Sequence, residues 1–227
     1  EGCRVLATGR SADALRELRQ IAGLRGLRVR TARGDAARAE TARRWVRLAG
    51  SLSERGKRGR GGAPDLLVHA AGDYWEGPLP ALTAERWEAL VRSNVTSAVT
   101  MLQAALPAMR RRRFGRVLFF GVAGGDAPRA AGRAHAYRAA KVALLTLARS
   151  AAVDEAEHGI TVNVILPGVI RTPGTPARWA AAAAAAKIPA RRLGSPGEIA
   201  RAALFLLDEE SGYITGAALP VSGGYLL

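Results

Sequence analysis

Apolar positions recur along this chain with two periods. Short apolar or alternating runs, Cys3 to Thr8 (CRVLAT), Leu27 to Ala32 (LRVRTA), Asp65 to His69 (DLLVH), Arg116 to Phe120 (RVLFF), Thr161 to Leu166 (TVNVIL) and Ala217 to Val221, predict strands. Between them apolar residues fall three and four apart. Ala14, Leu15, Leu18 and Ile21 share a face behind Ser11, which predicts a capped helix, and Trp45, Val46 and Leu48 mark a second helix after Gly34-Asp35. A helix from about Ala84 leads through Asn94 into a long helical stretch to Arg113, with Val95, Val99, Leu102 and Leu106 inward. Ser195-Pro196-Gly197-Glu198 predicts a last helix start, with Ser at the N-cap and Pro at the first position, running to Leu207. Strands alternating with helices imply an α/β fold with a doubly wound parallel sheet and ligands at the carboxyl ends of its strands. Gly50 to Pro64, rich in Gly, Arg and Ser and without periodicity, predicts a surface loop inside a single domain spanning residues 1–227.

Composition narrows the function. With 48% hydrophobic residues the chain can bury a sizeable core. It holds no apolar run of about 18 residues, so no membrane span is expected, and its first residues lack a basic-then-apolar signal pattern. A lone cysteine, Cys3, excludes an internal disulfide framework and makes a reducing cytoplasm the default location. The net charge of +15 raises nucleic acid as a partner. Arginine and alanine are enriched everywhere, however, including the tract Ala180 to Ala186, and aromatics reach only 5%. Without interleaved aromatic platforms, nucleic-acid binding is not indicated, and an acidic protein or an anionic cofactor fits better.

The segment with the clearest chemistry is Ala136-Tyr137-Arg138-Ala139-Ala140-Lys141. A tyrosine and a lysine four apart lie one helical turn from each other and can address one small volume. An ammonium beside a phenol favours the phenolate and is expected to draw the tyrosine's pKa down towards working pH, as a proton-transferring group requires. Lysine is scarce here, at positions 57, 141 and 187 only, so its use at 141 stands out against the arginine-rich background.

Taken in order, Thr8-Gly9-Arg10, Asp35, His69-Ala70-Ala71-Gly72, Asn94, the Tyr137 to Lys141 motif, Pro167-Gly168, Ile214-Thr215-Gly216 and Ser222-Gly223-Gly224 resemble the short-chain dehydrogenase/reductase superfamily, most closely its 3-oxoacyl-carrier-protein reductase type. The resemblance runs from Glu1 to Leu227. It implies that Tyr137 exchanges the substrate proton, that Lys141 lowers its pKa and holds the nicotinamide ribose, and that Asn94 holds a relay water. It also implies Asp35 at the adenine, Ala71-Gly72 along the cofactor, and Ile170 and Thr172, just past Pro167-Gly168, at the nicotinamide amide. Gly9-Arg10 at the end of the first strand, in place of an acidic residue, suits a 2'-phosphate, so NADP is expected over NAD. No metal site is implied.

Two departures qualify the resemblance. The family opens with a strand, a glycine-rich turn and a helix whose amides bind pyrophosphate. Glu1-Gly2 matches the end of that helix, no G-x-x-x-G-x-G occurs in the chain, and residues upstream of Glu1 are expected. The strand of that unit would lie between Cys3 to Thr8 and Asp65 to His69. Losing its four or five buried side chains removes on the order of 10 kcal/mol, so a monomer of these residues is expected to fold poorly and NADP binding to depend on the upstream unit. The family also places a serine before the Tyr137 helix. Phe120-Gly121-Val122-Ala123-Gly124-Gly125 has none, and Val122 or Gly121 stands in its place. Loss of one oxyanion donor typically costs about a hundred- to a thousandfold in turnover. Asp126 and His135 nearby read as solvated loop residues.

The reading is therefore an NADP-dependent oxidoreductase of ketoreductase or hydroxyacyl-dehydrogenase type, impaired as it stands. The alternative is a non-catalytic subunit that pairs with an intact homologue, as occurs in this family, including in bacterial antibiotic pathways. Homo- or hetero-oligomers would form through the helices Val95 to Arg113 and Tyr137 to Glu157. The run Arg110 to Arg113 ends a helix, where cations suit the dipole; in carrier-protein reductases a basic patch near the site entrance meets the acidic carrier protein, and this run falls in the matching place. Arg171 to Ile188 would cover the substrate, with Trp179 as the packing anchor of that lid.

Overall fold

The computed structural model describes residues 2–52, 64–127, 130, 132–173, 175–184 and 187–227. Most of the predicted loop, residues 53–63, and residues 185–186 of the alanine tract lie outside the described residues. Strands and helices alternate as the apolar pattern requires: β1 (Val5–Gly9), α1 (Ala12–Leu24), β2 (Val29–Arg33), α2 (Ala39–Gly50), β3 (Leu66–His69), α3 (Ala84–Val91), α4 (Ser97–Arg112), β4 (Gly115–Phe120), α5 (His135–Glu155), β5 (Ile160–Pro167), α6 (Ala177–Ala184), α7 (Pro196–Leu207) and β6 (Ala218–Val221).

Local chemistry sets the boundaries. Ser11 and Thr83 cap α1 and α3 by accepting from the amides of Ala14 and Arg86. Ser195 forms a full capping box with Glu198 ahead of α7, as the sequence predicts. Strand β2 starts two residues later than predicted, because Gly26 and Leu27 are used to finish α1. Gly26 adopts a left-handed backbone (φ 63°), and the amides of Gly26 and Leu27 bond back to the carbonyls of Gly23 and Ala22.

All strand pairs are parallel, but they form two ladders: β2 with β1, and β3-β4-β5-β6 in that order. Between β1 and β3 there is no ladder among the described residues. That interruption falls where the resemblance puts the further strand. β4 and β5 are buried almost throughout, whereas Val5 of β1 and Val68 of β3 are about half exposed. The halves are held together by helices. Ala42, Trp45 and Val46 of α2 enter one apolar core with Leu67, Ala98, Met101, Leu102, Val117, Phe119 and Leu144. A second core, of Leu118, Ile165 and Leu206, lies under α7. No helix is long and apolar enough to cross a membrane among the described residues.

Candidate active site

The two sheets present their carboxyl ends on the same side, and there the chain gathers its polar groups. Tyr137 and Lys141 lie in the first two turns of α5, which follows β4. Lys141 is buried and its Nζ donates to the carbonyl of Phe120, the last residue of β4, at 2.8 Å. The same ammonium stands 5.6 Å from the centre of the Tyr137 ring. Burial lowers the Lys141 pKa to about 8, and burial pushes the Tyr137 phenol up from its ordinary value. This corrects the expected direction. The lysine lies over the ring with its ammonium committed to Phe120, so desolvation of the phenolate governs Tyr137.

Asn94 sits where the long helical stretch is underwound. Residues Arg92–Thr96 form a π-helical turn between α3 and α4, a feature that sequence periodicity does not display. Asn94 is fully buried; its Nδ2 donates to the carbonyls of Leu90 and Asp73, both at 3.0 Å, and its Oδ1 has no hydrogen-bond partner. Gly72 packs directly on this amide, with φ 151°, and a side chain there would collide with Oδ1. Only glycine leaves room beside that oxygen.

The expected cofactor residues lie at the same end. Gly9 and Arg10 close β1, Asp35 follows β2, Ala71 and Gly72 follow β3, and Pro167 and Gly168 close β5. Asp35 Oδ1 accepts from the Ala37 amide at 2.9 Å and Oδ2 from Arg92 at 2.7 Å. Burial opposes ionisation of this carboxyl, but those two hydrogen bonds outweigh it and hold its pKa below the ordinary value. Ile170 forms an isolated bridge to Gly194, and the Thr172 amide and hydroxyl both meet the Thr175 hydroxyl, at 2.8 and 2.9 Å. Arg10 is paired with Asp73 across the interruption in the sheet, and the Arg33 guanidinium, unremarked in the sequence, donates to the Arg10 carbonyl at 3.0 Å. The two arginines suit a phosphate-bearing nucleotide, Asp35 a hydrogen-bond donor on its base, and the unsatisfied Asn94 Oδ1 a water. No cluster of metal-ligating residues occurs among the described residues.

Further polar groups had no role assigned from the sequence. Arg138 is buried beside Tyr137, with hydrogen bonds to the carbonyls of Ala123, at 3.1 Å, and Gly124. It pins the loop that carries Val122. Gly121 in that loop is fixed by its amide to Ile165, and a Cβ there would come within 2.6 Å of Leu166 Cδ2, so only Val122 has room for a larger side chain. Buried His69, last residue of β3, bonds Ser97 Oγ through Nε2 at 2.8 Å. Ser97 in turn donates to the Ser93 carbonyl, which places the imidazole hydrogen on Nε2 and leaves Nδ1 without a hydrogen-bond partner. Burial, and then the charge of Lys141, lower the His69 pKa to about 4.

Arg110 to Arg113 lies at the amino end of β4, away from Tyr137. Arg110 grips Glu155 with two hydrogen bonds, at 2.8 and 2.6 Å, Arg112 meets Asp65 and the Pro64 carbonyl, and Arg113 meets the Glu157 carbonyl. The expectation that this run borders the site entrance is therefore not met within one chain, since α4 must end where β4 begins. Trp179 does act as a packing anchor for the segment Arg171 to Ile188, edge-on to Tyr225 and against Ile188 and Leu193.

Comparison with known proteins supplies an independent measure. The family model described as enoyl-(acyl carrier protein) reductase matches residues 1–226. The chain is 38% identical over 165 residues to 3-oxoacyl-(acyl-carrier-protein) reductase FabG of Escherichia coli (strain K12), covering 72% of this chain and 67% of that protein. Among solved structures it is similar to a short-chain oxidoreductase of Pseudomonas aeruginosa PAO1, NADPH-bound and described as containing an atypical catalytic center. There the TM-score is 0.84 at 28% identity, over 98% of this chain and 87% of that one. It is also similar to L-sorbose reductase from Gluconobacter frateurii, complexed with NADPH and L-sorbose, with a TM-score of 0.86 at 26% identity, over 100% and 88% of the two chains.

Proposed function

The chain belongs to the short-chain dehydrogenase/reductase family, and on that premise we propose that it is an NADP-dependent ketoreductase whose proton donor is Tyr137. The observation that carries this reading is the convergence of Tyr137, Lys141 and the unsatisfied Oδ1 of Asn94 at the carboxyl ends of β3 and β4. When bound, NADPH supplies the hydride. The chain supplies the rest. Tyr137 gives its hydroxyl proton to the substrate's carbonyl oxygen, and the burial that raises its pKa keeps it protonated and ready to donate at neutral pH. Lys141 faces the phenolate left behind, and Asn94 Oδ1 holds the water through which that proton is restored. Arg10 and Arg33 favour a ribose carrying a 2'-phosphate, with Asp35 left to the adenine. FabG-like relatives point to 3-oxoacyl thioesters as the first substrates to try.

The test is NADPH oxidation with a 3-oxoacyl thioester, comparing the chain with its Tyr137→Phe variant. Reduction is expected in the first and a loss of at least about a hundredfold in the second; equal rates would remove Tyr137 from its role. One observation favours a second reading. Val122 stands where the family has a serine, and no Ser or Thr lies between Phe114 and Tyr137 to replace it. In that reading the chain is a non-catalytic subunit of a mixed reductase, and it turns over nothing until paired with an intact homologue.

A further inference from the structure

The loop that follows β3, Asp73 to Pro78, packs on Tyr137 through Tyr74. The Tyr74 ring meets the Tyr137 ring edge-on, with centroids 4.9 Å apart and planes inclined by 74°. An edge-on aromatic pair of this kind fixes the orientation of both rings. The Tyr74 hydroxyl donates to Glu76 Oε2 at 2.7 Å, and the same oxygen accepts from Arg178 at 2.8 Å. Arg178 belongs to α6, in the segment expected to cover the substrate. One carboxylate oxygen therefore joins the loop to the lid helix across 102 residues of sequence. Two more contacts stiffen the loop. The Gly77 amide donates to the Arg133 carbonyl at 2.8 Å, and the Arg86 guanidinium lies 5.4 Å from the centre of the Trp75 ring.

We propose that Tyr74 and Glu76 are positioning residues. Glu76 ties α6 to the loop through Arg178 and fixes Tyr74 against Tyr137, so the seating of the lid helix sets the orientation of the proton-donating phenol. The chemistry suits this role. Although Tyr74 is exposed as a whole, local desolvation and then the neighbouring Glu76 carboxylate push its phenol pKa up to about 12, so it remains a neutral donor and keeps the link across the whole working range. Three short interactions pass from lid to site: guanidinium to carboxylate, carboxylate to phenol, and phenol ring to phenol ring. Substrate that displaces α6 disturbs Tyr137, whereas substrate that leaves α6 seated finds the phenol aligned.

The proposal rests on Tyr137 being the proton donor, and its test separates the link from the chemistry. Hydrogen–deuterium exchange of residues 177–184 is measured for the unmodified chain, Glu76→Ala, Arg178→Ala and the double variant, with α7 as an internal control. These residues are on the surface, so folding is not at stake. Either single variant is expected to speed exchange in α6 about fivefold, and the double variant no more than either single, because all three remove one link. Unchanged α6 exchange in both single variants would overturn the link. For the positioning role, Tyr74→Ala and Glu76→Ala are expected to lower kcat for NADPH-dependent reduction about tenfold with little change in KM. Glu76→Gln, which keeps an acceptor oxygen, is expected to restore most of it. An unchanged kcat in Tyr74→Ala would overturn the positioning role. If the unmodified chain reduces nothing while α6 exchange responds as expected, the link stands and the ketoreductase reading fails.

Discussion

At the scale of single residues, the most informative position is Val122. It lies half-buried in a loop held by the Ala123 amide on Pro167, by the Gly125 amide on Val122 itself and by Arg138 on two carbonyls. Such a loop keeps its backbone in place when one exposed atom changes. Val122→Ser replaces one methyl by a hydroxyl and removes the other, a loss of volume that a half-buried position tolerates, and it is expected to raise kcat for ketone reduction by about tenfold or more if the missing donor limits turnover. The matching change at Gly121, equally acceptable from sequence alone, is not equivalent. Its new Cβ would press on Leu166 and Val164, so Gly121→Ser is expected to lower the thermal midpoint without a gain in turnover. Steady-state kinetics with a melting curve on both variants decides between them.

At the scale of elements, His69 joins β3 to α4 through Ser97, and this joint carries a pH dependence. The buried imidazole resists protonation down to about 4, while the unfolded chain takes up the proton near 6.5. The stability contributed by a neutral His69 is therefore present above 6.5 and lost as the pH falls through about 4, by about 3 kcal/mol in all. Urea unfolding at pH 7 and pH 4.5 is expected to show that fall, and His69→Asn is expected to flatten it. The elements themselves were largely legible in the sequence, since strand runs and helical faces differ in period and Ser11 and Ser195 announce their helices. The ends of β2 were less so, because a Schellman closure consumes residues that alternate like a strand. The π-turn at Asn94 was hidden because its extra residue leaves no mark in a 3.6-residue period; of the predicted inner face Val95, Val99, Leu102 and Leu106 only Leu102 is buried, while α4 turns Ala98, Met101, Ala105 and Met109 inward. Of the site, the Tyr137 to Lys141 pair shows as a spacing, but the Tyr74, Glu76 and Arg178 link does not. Its members are far apart in sequence and meet only because the β3 loop and α6 rise at the same end of the sheet.

At the scale of the whole molecule, the two ladders are joined by α2 on α4 and by the Arg10 to Asp73 ion pair rather than by strand pairing. Ion pairs as exposed as this one contribute little, about 1 kcal/mol or less, so the union of the halves rests on the apolar contact of Ala42, Trp45 and Val46. The outer edge of β1 and the facing edge of β3 each offer a row of backbone donors and acceptors with no strand beside them among the described residues. In colloidal terms this chain is a sticky particle with a thick electrostatic coat. The +15 charge keeps copies apart in dilute salt, and in about 1 M salt, where the screening length shrinks to roughly 3 Å, the coat collapses. Light scattering across a salt series is expected to show particles growing as salt rises and shrinking again on dilution. A chain whose scattering stays constant throughout would have its edges covered, and the shelf life of the protein would be set by something other than its charge.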